Sequence, residues 1–137
     1  MVQCNFSQYS SKYQKYKDHV QTNAFDTAFN GGALMDINVY NLHFVTGMFG
    51  KPNEVHYFKN VGYNGIDTSG IIIMQYPDFI ATCTGAKDCS SPYAVYVQGD
   101  QGTIIVSGAS SGVCKDVYFD APKKDQIGKK ATDTKEK

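Results

Sequence analysis

A chain of 137 residues with 42% hydrophobic and 19% charged residues fits one folded domain large enough to bury a real core. Its 13 basic and 13 acidic residues balance to a formal net charge of zero, which gives no electrostatic reason to expect nucleic acid or an anionic membrane as a partner. Ten Tyr and eight Phe with no Trp suit strands and polar-lined clefts as well as a core, because a phenol adds a hydroxyl to an apolar ring.

The first 30 residues are polar and tyrosine-rich, with no clean period along their length. "VQCNFS" reads as a short strand, and "SSKYQKYK" as a helical turn that the hydroxyl of Ser10 or Ser11 can cap. The rest of this stretch reads as a long connection, and long connections in compact domains are disproportionately functional. Gly31-Gly32 then breaks the chain ahead of a helix over 33–48, which stops at "GMFGKP". At about 100° per residue, Leu34, Ile37, Phe44, Val45 and Met48 fall on one broad side. Met35, Val39, Leu42 and Phe49 cover much of the rest, so the helix is expected to be packed on most of its circumference. Along it Asp36, Tyr40, His43 and Gly47 recur at i, i+4, i+7 and i+11, one narrow stripe. Polar groups on such a helix need a partner or a solvent-filled cleft.

Beyond Pro52 the period becomes two. "NEVHYFKN", "SGIIIMQYP", "DFIATCTG", "YAVYVQG", "GTIIVSG" and "VCKDVYF" each read as a strand rich in Val, Ile, Tyr and Phe. Turn chemistry at "GYNG", "YPD" and "GDQG" joins them into antiparallel hairpins. The fold class is α+β: an open, mostly antiparallel sheet of about five or six strands with one main helix packed on one face. "SGIIIMQY" is apolar on both sides, so the other face also needs cover, and a homo-oligomer through that face is expected. Residues 1–120 make the domain and 121–137 a polar, frayed tail.

Cys4, Cys83, Cys89 and Cys114 form no C-x-x-C pair, and no His spacing completes a zinc site, so no metal is expected. With no signal peptide and no apolar run of spanning length, they read as reduced cysteines of a cytoplasmic protein. His19 and His56 carry no functional expectation.

Three motifs in order carry a resemblance covering about Val2 to Phe119. "GGALMDINVYNLHFVTGMFGKP" looks like the G-G-[GA]-x-x-x-D-x-x-x-[HY] helix and following F-G-x-P of the glucose–fructose oxidoreductase/inositol dehydrogenase (Gfo/Idh/MocA) family. "GIDTSGIIIMQYPDF" looks like that family's strand pair, and "VQGDQGTIIV" like its late G-x-x-G hairpin. The resemblance is to the family's C-terminal domain, of the dihydrodipicolinate-reductase-like type. It implies an NAD(P)-dependent oxidoreductase acting on a sugar, polyol or related alcohol or carbonyl, with NAD or NADP bound mainly by an N-terminal Rossmann domain. Neither a G-x-G-x-x-G turn after a strand nor the family's E-K-P motif with its catalytic Lys occurs in this sequence. The chain is therefore expected to be an excised substrate domain, inactive alone, whose partners are that Rossmann domain and a small-molecule substrate.

The resemblance places Asp36 and Tyr40 on the family's catalytic pair. Hydride transfer between an alcohol and a nicotinamide needs a proton moved at the alcohol oxygen. A lone Tyr, with a pKa near ~10, is a poor base at neutral pH, and the family's Lys would favour the phenolate. Asp36, one turn earlier, can orient the hydroxyl or that Lys. Tyr40 either exchanges the proton or positions substrate beside the Lys. Because the family's first strand and loop line the pocket, Asn5, Tyr9, Lys12 and Tyr13 are candidates for substrate contacts. His43 is a candidate supporting residue. The competing reading is a non-catalytic oligomerisation or ligand-binding module. In it Asp36 merely favours the positive end of the helix, and Tyr40 is a packed aromatic.

Overall fold

The computed structural model describes residues 1–110 and 113–122. Seven strands form one sheet: β1 (Val2–Ser7), β2 (Glu54–Val61), β3 (Asp67–Gln75), β4 (Ile80–Ala86), β5 (Ala94–Gly99), β6 (Gly102–Ser110) and β7 (Val113–Asp120). Their order across the sheet is β2-β3-β4-β1-β5-β6-β7. The six segments of period two after Pro52 all form strands, joined as antiparallel neighbours within β2-β3-β4 and β5-β6-β7.

The expected short strand "VQCNFS" joins these six in the same sheet, which therefore has seven strands where about five or six were expected. β1 lies at the centre, parallel to β4 and antiparallel to β5. It joins two antiparallel halves that have no ladder of their own. A pairing between Cys4 and Cys83 leaves no local turn signal, because the partners are far apart in sequence. Alternation along β1 turns Val2, Cys4 and Phe6 to one face, where all three are buried.

That face is covered by a π-helical turn, Leu34–Asn38, running directly into α2 (Val39–Phe49). Val45 of α2 packs with Ile72, Met74, Ala81, Cys83, Cys4 and Val95 in the main core. Burial of these apolar side chains, at roughly 25 cal/mol per Å² removed from water, is the chief force holding the helix to the sheet. The helix ends at Gly50, whose positive φ of 76° supplies the left-handed exit.

The helix is less enclosed than its sequence suggests. Ile37, Asn38, Asn41 and Val45 are buried, whereas Met35, Tyr40 and Met48 are more than half exposed. A helix covering one sheet face meets protein along one side only. The innermost positions include two asparagines, which an apolar count passes over. Asn38 Nδ2 donates to Cys83 O at 3.0 Å, and Asn41 Nδ2 donates both to Asn38 Oδ1 at 2.9 Å and to Thr84 O at 3.0 Å. Gly85 makes this approach possible, since a Cβ there would lie 2.6 Å from Asn38 Cβ.

The Gly31-Gly32 break has two distinct causes. A Cβ on Gly31 would meet Asn23 O at 2.5 Å, and Gly32 has φ +95°. Leu34, just beyond, donates its N–H to Asp67 Oδ2 at 2.7 Å, so a carboxylate from β3 caps the helix start. Before the break, α1 (Tyr13–Lys17) is one short turn. Its N-cap is Lys12 and carries no side-chain cap bond, so the expected serine cap is not formed. Ser10 Oγ accepts from the Lys12 N–H at 3.2 Å, in the turn just ahead of the helix. Tyr16 and Phe25 stack with centroids 4.3 Å apart and pack with Ile66, anchoring the long connection to the domain.

The opposite sheet face has no protein cover among the described residues. Phe58, Ile71, Ile80, Tyr96 and Tyr118 share it by register and are all exposed. Cys4 and Cys83 are buried and Cys89 and Cys114 exposed, with no disulfide among them. No helix among the described residues is long and apolar enough to cross a membrane. The expected polar tail beyond Pro122 lies outside the described residues.

Candidate functional site

The stripe of Asp36, Tyr40, His43 and Gly47 is the exposed line of the helix. Its first two members open onto a cavity of about 360 Å³ lined by Phe6, Gln8, Ser10, Ser11, Lys12, Ala24, Asp36, Ile37, Tyr40 and Lys87. The location follows from the topology. β1 and β4 run parallel, so their C-terminal ends emerge side by side, and ligands in sheets with parallel strands favour that end. β1 delivers Phe6 and the Gln8–Lys12 loop, and β4 delivers Lys87. The π-helical turn brings Asp36 over both. Such turns within helices occur frequently at functional positions.

Asp36 and Tyr40 are both about half exposed, at 52% for the carboxylate side chain and 53% for the tyrosine. They face the opening and not the sheet. The Tyr40 ring packs on Phe6 with centroids 6.0 Å apart, which fixes the ring while leaving it accessible. Asp36 Oδ2 pairs with Lys87 Nζ at 2.5 Å. Lys87 is 2% exposed, and its ammonium also donates to Ala24 O and lies 4.6 Å over the Phe25 ring.

Lys87 is the residue that sequence reasoning missed. A signal for it existed. The alternation that turns Ala81, Cys83 and Gly85 toward the helix puts position 87 on the same side, and a lysine there calls for a carboxylate. Gln8, Ser10 and Ser11, which complete the polar lip, carried no such signal.

The other expected contacts divide. Lys12 lines the cavity. Asn5 does not: it sits on the open sheet face beside Gln3, Thr82 and Thr84 and accepts from Ser7 Oγ at 2.7 Å. Strand alternation sends Phe6, not Asn5, to the helix side. Tyr9 is exposed and packs against Tyr13 at 6.1 Å, outside the cavity wall. Tyr13 belongs to the aromatic cluster with Tyr16 and Phe25. His43 is exposed one turn past Tyr40 and also outside the wall.

A larger depression, of about 770 Å³, lies at the other end of the sheet between Met1, Glu54 and the Tyr76–Ile80 turn. It is shallow, and its aromatic floor serves the core, with Tyr76 stacked on Phe79 at 4.6 Å. Size alone does not make it the site: its phenol, Tyr76, is spent on a bond to Gly50 O at 2.8 Å, and neither Glu54 nor Asp78 pairs with a lysine of the described residues there. Among the described residues no group of three His, Cys, Asp or Glu stands close enough to hold a metal ion.

Residues 1–105 match the family model described as the GFO/IDH/MocA C-terminal domain. Over 115 residues, 84% of this chain, the sequence is 36% identical to the uncharacterized oxidoreductase YgjR of Escherichia coli. Over 105 residues, 74% of the chain, it is 34% identical to the scyllo-inositol 2-dehydrogenase (NADP(+)) IolU of Bacillus subtilis. The chain spans about a third of these relatives, 34% and 31% of their lengths. The fold superposes on the WlbA dehydrogenase of Bordetella pertussis, solved with NADH and UDP-GlcNAcA, with a TM-score of 0.67 at 16% identity. That match covers 91% of this chain and 37% of the other.

Proposed function

Because this chain belongs to the GFO/IDH/MocA family through its C-terminal domain, we propose that it is the substrate domain of an NAD(P)-dependent oxidoreductase. Its substrate class is a sugar, a polyol or a related alcohol or carbonyl, a secondary alcohol being oxidised by loss of hydride and a hydroxyl proton, or the corresponding ketone reduced by their addition. The carrying observation is the exposed pair of Asp36 and Tyr40 on one wall of a polar-lipped cavity at the ends of β1 and β4. Relatives named for scyllo-inositol and for trans-1,2-dihydrobenzene-1,2-diol share a ring bearing neighbouring hydroxyls, which sets the chemistry the pocket is expected to take.

The residues present fit the alcohol end of such a reaction. Tyr40 lines the same cavity as Asp36, and its hydroxyl can hold or pass the proton of a substrate hydroxyl. Asp36 accepts a hydrogen bond from the substrate or from a donor on the facing domain. Ser10, Ser11, Gln8 and Lys12 offer hydroxyl, amide and ammonium groups to further substrate oxygens. When bound, a nicotinamide supplies the hydride acceptor or donor. No strand here leads into a G-x-G-x-x-G turn, so the dinucleotide phosphates belong to the N-terminal Rossmann domain. The isolated chain should therefore not turn over substrate.

The open sheet face favours a second role in the same protein. Five exposed apolar or aromatic side chains from five strands share it, a surface of the kind buried when copies of one chain associate. If the catalytic reading fails, this face leaves a non-catalytic oligomerisation module as the alternative. The test joins the chain to its Rossmann domain and replaces Tyr40 by Phe. Turnover should fall by about 10²-fold or more, the scale of a general acid–base group, with nicotinamide binding unchanged. Undiminished turnover removes Tyr40 from the chemistry.

A further inference from the structure

Lys87 is an unusual component for a surface cavity. Its side chain is 3% exposed, whereas the Asp36 side chain it pairs with is 52% exposed. A buried ammonium is costly unless its donors are satisfied. Here the carboxylate of Asp36, the carbonyl of Ala24 and the ring face of Phe25 together surround it. These partners come from the helix start and from the turn at 23–25, which also meet where the Gly32 N–H donates to Ala24 O at 3.0 Å. Main-chain bonds fix Lys87 in place, its N–H donating to Thr68 O and its carbonyl accepting from the Ser10 N–H, both at 2.9 Å.

The geometry points to Lys87 as a positioning residue of the site, a buried cation that fixes the Asp36 carboxylate in one orientation and leaves Oδ1 for substrate. The assignment rests on the catalytic reading of Asp36 and Tyr40. It adds that this domain carries a positive charge of its own. Asp36 Oδ2 is engaged within the domain by Lys87, which leaves Oδ1 as the freer acceptor for a donor from the facing domain or the substrate. The same ammonium ties the Ala24 turn to the cavity wall, so the lip formed by the long connection and the carboxylate move as one unit.

Two measurements test this. In the chain labelled with ¹⁵N-lysine, one ammonium resonance should be protected from exchange with water, vanish in Lys87→Arg and shift in Asp36→Asn. Absence of a protected resonance in the wild type, or one indifferent to Asp36→Asn, overturns the pairing. In the protein joined to its Rossmann domain, Lys87→Met should lower kcat by about 10²-fold, the scale of a misplaced reacting group, while KM changes less than about threefold. Lys87→Arg, which keeps the charge, should recover part of the loss. Wild-type kcat in Lys87→Met, with Asp36→Asn and Tyr40→Phe impaired, refutes the role of Lys87 alone. Full turnover in Asp36→Asn and Tyr40→Phe removes the site reading and this assignment with it. Should Lys87→Met not fold, the ammonium resonance in Asp36→Asn still decides the pairing.

Discussion

Replacing Asn38 by Ala tests how the helix is held over the sheet, and hence how Asp36 and Tyr40 are placed. Asn38 is fully buried and takes part in two hydrogen bonds, to Cys83 O and from Asn41 Nδ2. Removing it forfeits the bond to Cys83, worth about 1 kcal/mol net, and strands one buried Asn41 N–H at a cost of about 1–3 kcal/mol. Asn41 keeps Thr84 O through its other N–H. The expected loss is about 3 kcal/mol. With a urea slope of about 1.5 kcal/mol per molar for a domain of this size, the midpoint should fall by about 2 M. The assay is urea unfolding followed by far-ultraviolet circular dichroism, with Met48→Ala, on the exposed side, as a control within about 0.5 kcal/mol of wild type. Because the two asparagines share a bond, Asn38→Ala and Asn41→Ala should be non-additive by about 1 kcal/mol. A loss below about 1 kcal/mol for Asn38→Ala, or strict additivity of the pair, would refute the polar anchor.

Three further outcomes follow from the same geometry. Tyr57 donates to Asp67 Oδ2 at 2.5 Å, and burial, then that bond and the Asp67 charge, push its phenol above the usual tyrosine range. The folded chain therefore keeps a proton that the unfolded chain releases near pH ~10. Stability is flat below that pH and falls as pH rises above it, and Tyr57→Phe should flatten the fall between pH 9 and 11. Matching slopes for the two proteins would remove the effect. Gly32→Ala forces a side chain onto φ +95° and into Asp67 Oδ1. It should cost about 1–3 kcal/mol in backbone strain and further stability from the disturbed helix cap, read as a lower thermal midpoint. A midpoint within 1 °C of wild type would count against it. Ile71→Glu, in the middle of the open face, should convert an oligomer to a monomer by light scattering. A wild type that is already monomeric at micromolar concentration refutes association through that face.

The strands and the main helix were legible because their signals are local. Six period-two runs beyond Pro52 became six strands, and Gly50 ends the helix where the glycine and proline of "GMFGKP" said it would. The line of Asp36 and Tyr40 was legible for the same reason, since residues four apart share a helix face in almost any helical geometry. Which way that line faced was not. The apolar count filled both sides of the helix, and two buried asparagines settled the orientation by hydrogen-bonding to β4. Asn5 failed as a contact because one residue along a strand reverses its face.

Local order and the helix stripe belong to the sequence itself, each readable within some twenty residues, and so does the family likeness, carried by three short motifs in order along the chain. The central place of β1, the capping of the helix by Asp67 and the burial of Lys87 against Asp36 belong to the tertiary structure. Each joins residues 30 or more positions apart, Leu34 to Asp67, Asp36 to Lys87 and Cys4 to Cys83. No local period records such a pairing. It exists only once the sheet has closed around its first strand and brought a cation, a carboxylate and a phenol to the same end.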